Sequence, residues 1–165
     1  MSTLRESIAI PVGSSAGARA NTQSRWFYVW IAWACAFVAF ASFTPTYWAP
    51  VVNGSFDGPK ILHWHGLLFS AWTLLFVTQT TLAATGRMAI HRTLGMFGVA
   101  LAVAMLVAGF GASINSIQTG IRLGFEAKSR AFSIVSLSIV CFFVALVAIA
   151  VAYVKQPEVH KRLML

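Results

Sequence analysis

Charged residues are scarce in this chain, and acidic residues are the scarcest. Only 10% of the 165 residues are charged, four of them are Asp or Glu, and 58% are hydrophobic. Soluble domains carry about 25% charged residues, so this composition excludes an ordinary soluble domain. The four acids, Glu6, Asp57, Glu126 and Glu158, all lie outside the apolar runs. That disfavours a proton-relay transporter, which would place a carboxylate inside the membrane.

Cysteine is nearly absent as well. Cys35 and Cys141 both lie inside apolar runs, and no Cys-x-x-Cys or Cys/His cluster predicts a structural metal. The chain also lacks a nucleophile–base–acid set and a glycine-rich phosphate loop. An enzyme is therefore the less favoured interpretation. The first 24 residues contain no apolar run of the kind that a secretory signal peptide requires.

Four long apolar runs are the main feature that is present. They cover residues 26–44, 62–84, 94–114 and 131–154, each close to the ~20 residues that a membrane-spanning helix needs. Because the runs are continuously apolar and do not alternate, helices are favoured over a barrel. We predict an all-α integral membrane fold, with residues 1–25 as a disordered tail and residues 26–165 as one four-helix transmembrane bundle.

Positive charge is concentrated at the ends of the runs, although the net charge of +8 could also suggest nucleic-acid binding. Charge at span ends sets membrane topology, and no nucleic-acid-binding motif accompanies it. Of the twelve Lys and Arg residues, eight flank one side and four the other, which predicts that both termini are cytoplasmic. Lipid headgroups or other anions are expected to contact Arg87, Arg92, Lys161 and Arg162.

Proline is rare, and three of the five prolines lie in one connection. Pro45, Pro50 and Pro59, with Gly54 and Gly58, predict an irregular periplasmic segment between residues 45 and 60.

The chain ends on a second basic, histidine-containing segment. Residues 157–165 begin with Pro157, which suits a helix start, and then repeat the pattern of residues 90–96: an apolar residue, His, a basic residue and a return to apolar sequence. This predicts either an internal repeat of helix pairs or a truncated fifth helix.

Polar side chains in the second span form one stripe. His65, Trp72 and Gln79 are spaced seven apart, so they lie nearly above one another on a helix. Polar groups inside a membrane usually face other helices. Helix packing is the leading interpretation, and a haem b or quinone pocket or a transport path is the alternative.

The histidines fall into two groups by their position along the spans. His63 and His65 point about 200° apart on a helix, and His65 lies near the opposite end of its span from His91 and His160. One haem cannot bridge that distance, whereas His91 and His160 precede spans on the same side. The candidate cofactor-binding residues are His65, Gln79, His91 and His160.

Small and aromatic residues predict helix packing. Small residues recur along the third span, which allows another helix to approach closely, and aromatic residues recur along the first. The predicted packing residues are Trp72, Gly95, Gly98, Ala102 and Gly109, with an aromatic face of Trp26, Trp30, Trp33, Phe37 and Phe40.

These motifs together resemble a family. His65-Gly66, Trp72, Gln79, Gly86-Arg87, His91-Arg92, Leu94-Gly95 and the HKRLM sequence from His160 resemble a widespread group of uncharacterised bacterial multi-pass inner-membrane proteins. The histidine-bearing four-helix pattern is also distantly similar to membrane b-type cytochromes. The resemblance implies a bacterial inner membrane and no established activity.

Three functional hypotheses follow. The first is a structural or accessory subunit of a larger membrane complex, with other membrane subunits as partners. The second is a redox protein that binds haem or quinone. The third is a small-molecule transporter.

Overall fold

The computed structural model describes the backbone of residues 14–165 and the side chains of residues 25–165. The helices are α1 (Ser14–Phe43), α2 (Ala49–Val52), α3 (Lys60–Ala84), α4 (Met88–Arg122), α5 (Glu126–Ala152) and α6 (Pro157–Leu163), with a π-helical turn at Thr44–Trp48 between α1 and α2. No strand occurs among these residues. We predicted a disordered tail over residues 1–25. Residues 1–13 of that tail lie outside the described chain, and from Ser14 onward the backbone is helical.

Within the described residues, four helical segments are long and apolar enough to cross a membrane: Arg25–Val52, Lys60–Ala84, Met88–Arg122 and Glu126–Ala152. The predicted all-α, four-span fold is therefore confirmed. The helices are longer than the apolar runs. The 35 residues of α4 rise about 52 Å, against a hydrocarbon layer of about 30 Å, so the polar ends of α4 extend towards the headgroups.

Neighbouring helices pack in the order α1, α3, α4, α5. Small side chains make this packing close, since Ala32 of α1, Ala102 of α4 and Ala150 of α5 are almost completely buried. Ala32 and Ala36 cluster with Val77 of α3. Large apolar side chains cover the outside of the bundle instead, as expected where lipid is the solvent.

The segment after the first span is helical as far as Val52, so the prediction of an irregular connection from residue 45 is wrong for its first half. Pro45 and Pro50 each lie at the first or second position of a helical segment, where the missing N–H costs little. The wide π turn accommodates the residues between the two prolines. Within this connection, the backbone is irregular only from Asn53 to Pro59.

The helix α6 is short and lies beside α5. Its start, Pro157, occupies the first turn, where proline's fixed φ suits a helix. Because α5 ends at Ala152 and the chain turns before Pro157, α6 folds back against the last turns of α5. This turn brings the second basic, histidine-containing segment to the same end of the bundle as the α3–α4 connection. We call this end of the bundle the histidine end.

Candidate ligand site at the histidine end

His91 is held by a reciprocal pair of contacts with α3. Its Nδ1 lies 3.3 Å from the main-chain oxygen of Gln79, and the Gln79 amide Nε2 donates to the main-chain oxygen of His91 at 3.1 Å. A tight turn at Thr85–Arg87 makes this possible, with Gly86 at φ 75°, a left-handed conformation that suits glycine. Since a carbonyl only accepts, Nδ1 of His91 carries the proton, which leaves Nε2 as an acceptor in the neutral ring.

His160 is held in the same way by a different helix. Its Nδ1 donates to the main-chain oxygen of Ala150 at 2.7 Å, ten residues earlier on α5. This bond ties α6 to the end of α5. The neutral ring again exposes Nε2 as its acceptor.

The two imidazoles lie side by side at the histidine end. Their ring centroids are 6.4 Å apart and their planes are nearly perpendicular, at 87°. With metal–nitrogen bonds of about 2 Å, two imidazoles on opposite sides of one metal have centroids roughly 6 Å apart. Nδ1–H bonded to a carbonyl is also the usual outer-shell partner of a metal-ligating histidine. The centroid spacing and the Nδ1 partners of this pair are therefore compatible with a metal that takes two histidine ligands.

Basic residues flank both histidines in the sequence. Lys161 lies over the Tyr28 ring, with its Nζ 5.3 Å from the ring centroid, and forms an ion pair with Glu158 at 2.7 Å. The hydrogen bond from Lys161 lowers the pKa of the Glu158 carboxyl. Arg87 and Arg92 are exposed on the α3–α4 side and Arg162 on α6, so this end can attract anionic groups.

His65 lies apart from this pair. It sits 14 residues before Gln79 on α3, a rise of about 21 Å, and its ring stacks on Phe69 with centroids 4.2 Å apart. No described residue hydrogen-bonds its Nδ1. His63, on a different face, contacts the Tyr47 hydroxyl through Nδ1 at 3.0 Å. Of the four candidate cofactor-binding residues, the structure brings Gln79, His91 and His160 together and leaves His65 near the other end.

The predicted packing residues face two different neighbours. The Trp72 ring meets Phe143 of α5 edge to face, with centroids 4.8 Å apart. A methyl group on Gly98 would lie 3.2 Å from Leu75 of α3, whereas one on Gly109 would lie 3.4 Å from Val140 of α5. Gly95 lies near the Gln79 amide, and Ala102 is 2% exposed. The small residues of α4 therefore serve contacts with α3 and with α5.

Sequence reasoning missed two parts of this site. The partners of His91 and His160 are main-chain carbonyls at Gln79 and Ala150, and no sequence pattern marks a carbonyl as a partner. The role of Tyr28 beside Lys161 was missed as well, although an aromatic residue at the start of a span is a usual signal for a headgroup-level contact.

Comparisons with protein-family models, curated proteins and solved structures find no match to this chain. Within the described residues, no three His, Cys, Asp or Glu side chains gather as a metal site. A haem iron differs from such a site because the porphyrin supplies its other ligands, so two axial protein ligands suffice.

Proposed function

We propose that this multi-pass membrane protein is a redox protein that holds haem b between His91 and His160. The observation that carries the proposal is the pair itself: two imidazoles 6.4 Å apart, each with Nδ1 on a main-chain carbonyl. Both rings are thereby fixed in the tautomer whose Nε2 can bind iron. When bound, haem supplies one-electron transfer.

The chain's own groups have distinct tasks in this proposal. His91 and His160 would hold the haem through Nε2, and the carbonyls of Gln79 and Ala150 would orient the two rings. Arg87, Arg92, Lys161 and Arg162 would supply positive charge at this end for the carboxylates of a bound porphyrin, since a nearby cation favours the ionised form of a carboxylate. His65 has no part in this site, because it lies near the other end of α3.

We also propose that the histidine end faces the cytoplasm of a bacterium and that the membrane is the inner one. Eight of the twelve basic residues flank this side of the spans, as the positive-inside rule expects. Membership of the bacterial inner-membrane family that the motifs resemble is part of the same proposal.

An optical spectrum of the full-length protein, purified in detergent from cells supplied with a haem precursor, tests the haem proposal. We expect a Soret band and a reduced-minus-oxidised α band, with about one haem per chain. His91→Ala and His160→Ala should each abolish both bands, since each removes one of the two histidines that would hold the haem. Circular dichroism of the same samples checks that the variants keep their helices.

His63→Ala is the matched control, because His63 is an exposed histidine at the other end of the bundle. It should keep the wild-type spectrum. A wild-type protein without a Soret band contradicts the proposal, as does a band that survives both ligand substitutions. Extractable quinone in a protein without the band would support the quinone alternative instead.

A second candidate is an accessory subunit of a larger membrane complex. One observation favours it: a row of large aromatic side chains on α1 points away from its contact with α3. Trp30, Trp33 and Phe37 are 70%, 55% and 75% exposed. A partner subunit could pack on this row without disturbing the histidine end.

A further inference from the structure

An open cavity of about 620 Å³ lies at the other end of the bundle. The segment Ser55–Pro59 forms one wall, and the C-terminal part of α4 with the start of α5 forms the other. Its volume falls within the roughly 300–1,000 Å³ typical of small-molecule sites. Neither the motifs nor the haem proposal gives this cavity a role.

The charge of the lining is unusual for this chain. Among the described residues, the lining contains Asp57, one of the four acids of the protein, and no Lys, Arg or His. Glu126, an acid near the same end, forms an ion pair with Arg130 at 2.7 Å. Asp57 has no ion-pair partner among the described residues, so its carboxylate is available to a cation in the cavity.

Polar side chains converge on the cavity from two helices. Asn115, Ser116 and Thr119 come from α4 and Ser129 from α5. Most serines and threonines of this bundle bond back to a carbonyl of their own helix, as Thr73 does at 2.9 Å, which satisfies a hydroxyl in lipid. In the described part of the chain, none of the four lining side chains makes a hydrogen bond of this or any other kind.

This set of groups suits an ammonium ion better than other ligands. An ammonium has three donors and no acceptor, and the lining offers it one carboxylate with hydroxyl and amide oxygens. The aromatic rings of Phe56 and Phe125 also line the cavity, and aromatic faces attract cations. An anion would meet the Asp57 carboxylate without any lining cation to offset it.

We propose that this cavity binds the ammonium group of a primary amine. The position allows two sources of the amine. Residues 115–122 of α4 follow the apolar run 94–114, so we expect them near the headgroups, where a phospholipid with an amine headgroup could reach the cavity. A soluble amine could enter from the water, because the cavity is open.

Native mass spectrometry of the full-length protein tests the lipid source. The protein is presented with phosphatidylethanolamine or phosphatidylglycerol, which differ in the headgroup amine. We expect preferential retention of phosphatidylethanolamine, reduced about tenfold by Asp57→Asn, since one charge-assisted hydrogen bond contributes this much. A parallel calorimetric titration with ethanolamine tests the soluble source, and binding there without lipid retention assigns the site to a free amine.

Two further variants make the result decisive. Glu126→Gln removes an acid at the same end that already has a partner and should leave binding unchanged. Thr119→Val keeps the shape of the lining, removes one acceptor and should weaken binding. The proposal is overturned if neither ligand binds, if phosphatidylglycerol is preferred, or if Asp57→Asn and Glu126→Gln weaken binding equally. None of these outcomes depends on the histidine end.

Discussion

At the scale of single residues, the histidine end depends on the main chain more than on side chains. His91 and His160 both bond to carbonyl oxygens, which are present whatever side chain occupies Gln79 or Ala150. The rings should therefore keep their orientation through most substitutions at those two positions. Only the histidines themselves are irreplaceable in the proposed ligation.

Gln79→Leu tests this division between main chain and side chain. The substitution removes the amide bond to the carbonyl of His91 and also the amide oxygen Oε1, which has no described hydrogen-bond partner. Membrane hydrogen bonds contribute about 0.6 kcal/mol on average, so we expect a loss of unfolding free energy of about that size or less. The Soret band, where present, should remain, because the carbonyl that holds His91 is retained.

Thermal unfolding and the optical spectrum measure these two effects on one sample, with Thr78→Val on the exposed face of α3 as the control. Loss of the band in Gln79→Leu at unchanged stability would show that the amide itself contacts the ligand.

Residue types and spacings predicted some of the site but not its bonds. His91 precedes the third apolar run and His160 follows the fourth, so both lie on the same side of the spans, which was enough to predict that they could meet. The carbonyl partners could not be predicted because any residue offers one. Asn115, Ser116 and Thr119 do carry a signal in the sequence, because three polar residues lie near one face of α4 just after an apolar run.

At the scale of helices, close packing at the α4–α5 turn depends on Gly120. A methyl group there would collide with Ser129 of α5, whereas a methyl group on Gly109 would meet Val140 at an ordinary 3.4 Å. Overpacking costs about 1–3 kcal/mol, and alanine gains about 1 kcal/mol over glycine in a helix. Gly120→Ala should therefore destabilise the protein, and Gly109→Ala should be neutral or stabilising.

Thermal unfolding followed by circular dichroism in one detergent checks the pair. Ser129→Gly should restore stability to the Gly120→Ala protein, because it removes the Cβ and hydroxyl that the new methyl group meets. Equal melting temperatures for the two alanine variants would contradict the close contact at Gly120.

The four spans could be predicted from continuous apolar runs because lipid requires them. Their true ends could not, because helices continue into polar sequence where the backbone still hydrogen-bonds internally. The first helix begins at Ser14 and not at Trp26, and helical structure passes Pro45 through a π turn. Prolines at the first turn of successive segments permit this continuation, whereas the sequence pattern suggested a loop.

At the scale of the whole molecule, the two ends of the bundle differ in chemistry. One end joins two histidines among basic residues, and the other has a cavity whose lining, in the part of the chain that the structure describes, includes Asp57 and no Lys, Arg or His. The sides of the bundle also offer surfaces for contacts with other proteins. Trp30, Trp33 and Phe37 form the most aromatic of these sides, opposite the buried Ala32 and Ala36 of the same helix.

Association through this side is a prediction of the accessory-subunit hypothesis. Lipid solvates aromatic rings well, so association must come from close packing and not from the hydrophobic effect.

Protein extracted with its native lipids should have a mass well above the 17.9 kDa of one chain. Trp30→Ala combined with Phe37→Ala should reduce the co-purifying mass, because large aromatic residues dominate interface energies. Phe142→Ala, at a ring on α5 that is 66% exposed, should leave the mass unchanged. A wild-type protein of monomer mass would contradict the hypothesis, and an equal loss in both variants would show that the α1 side is not specific. Because neither Trp30 nor Phe37 contacts His91 or His160 in the described contacts, the spectrum of the dissociated double variant should match the wild type.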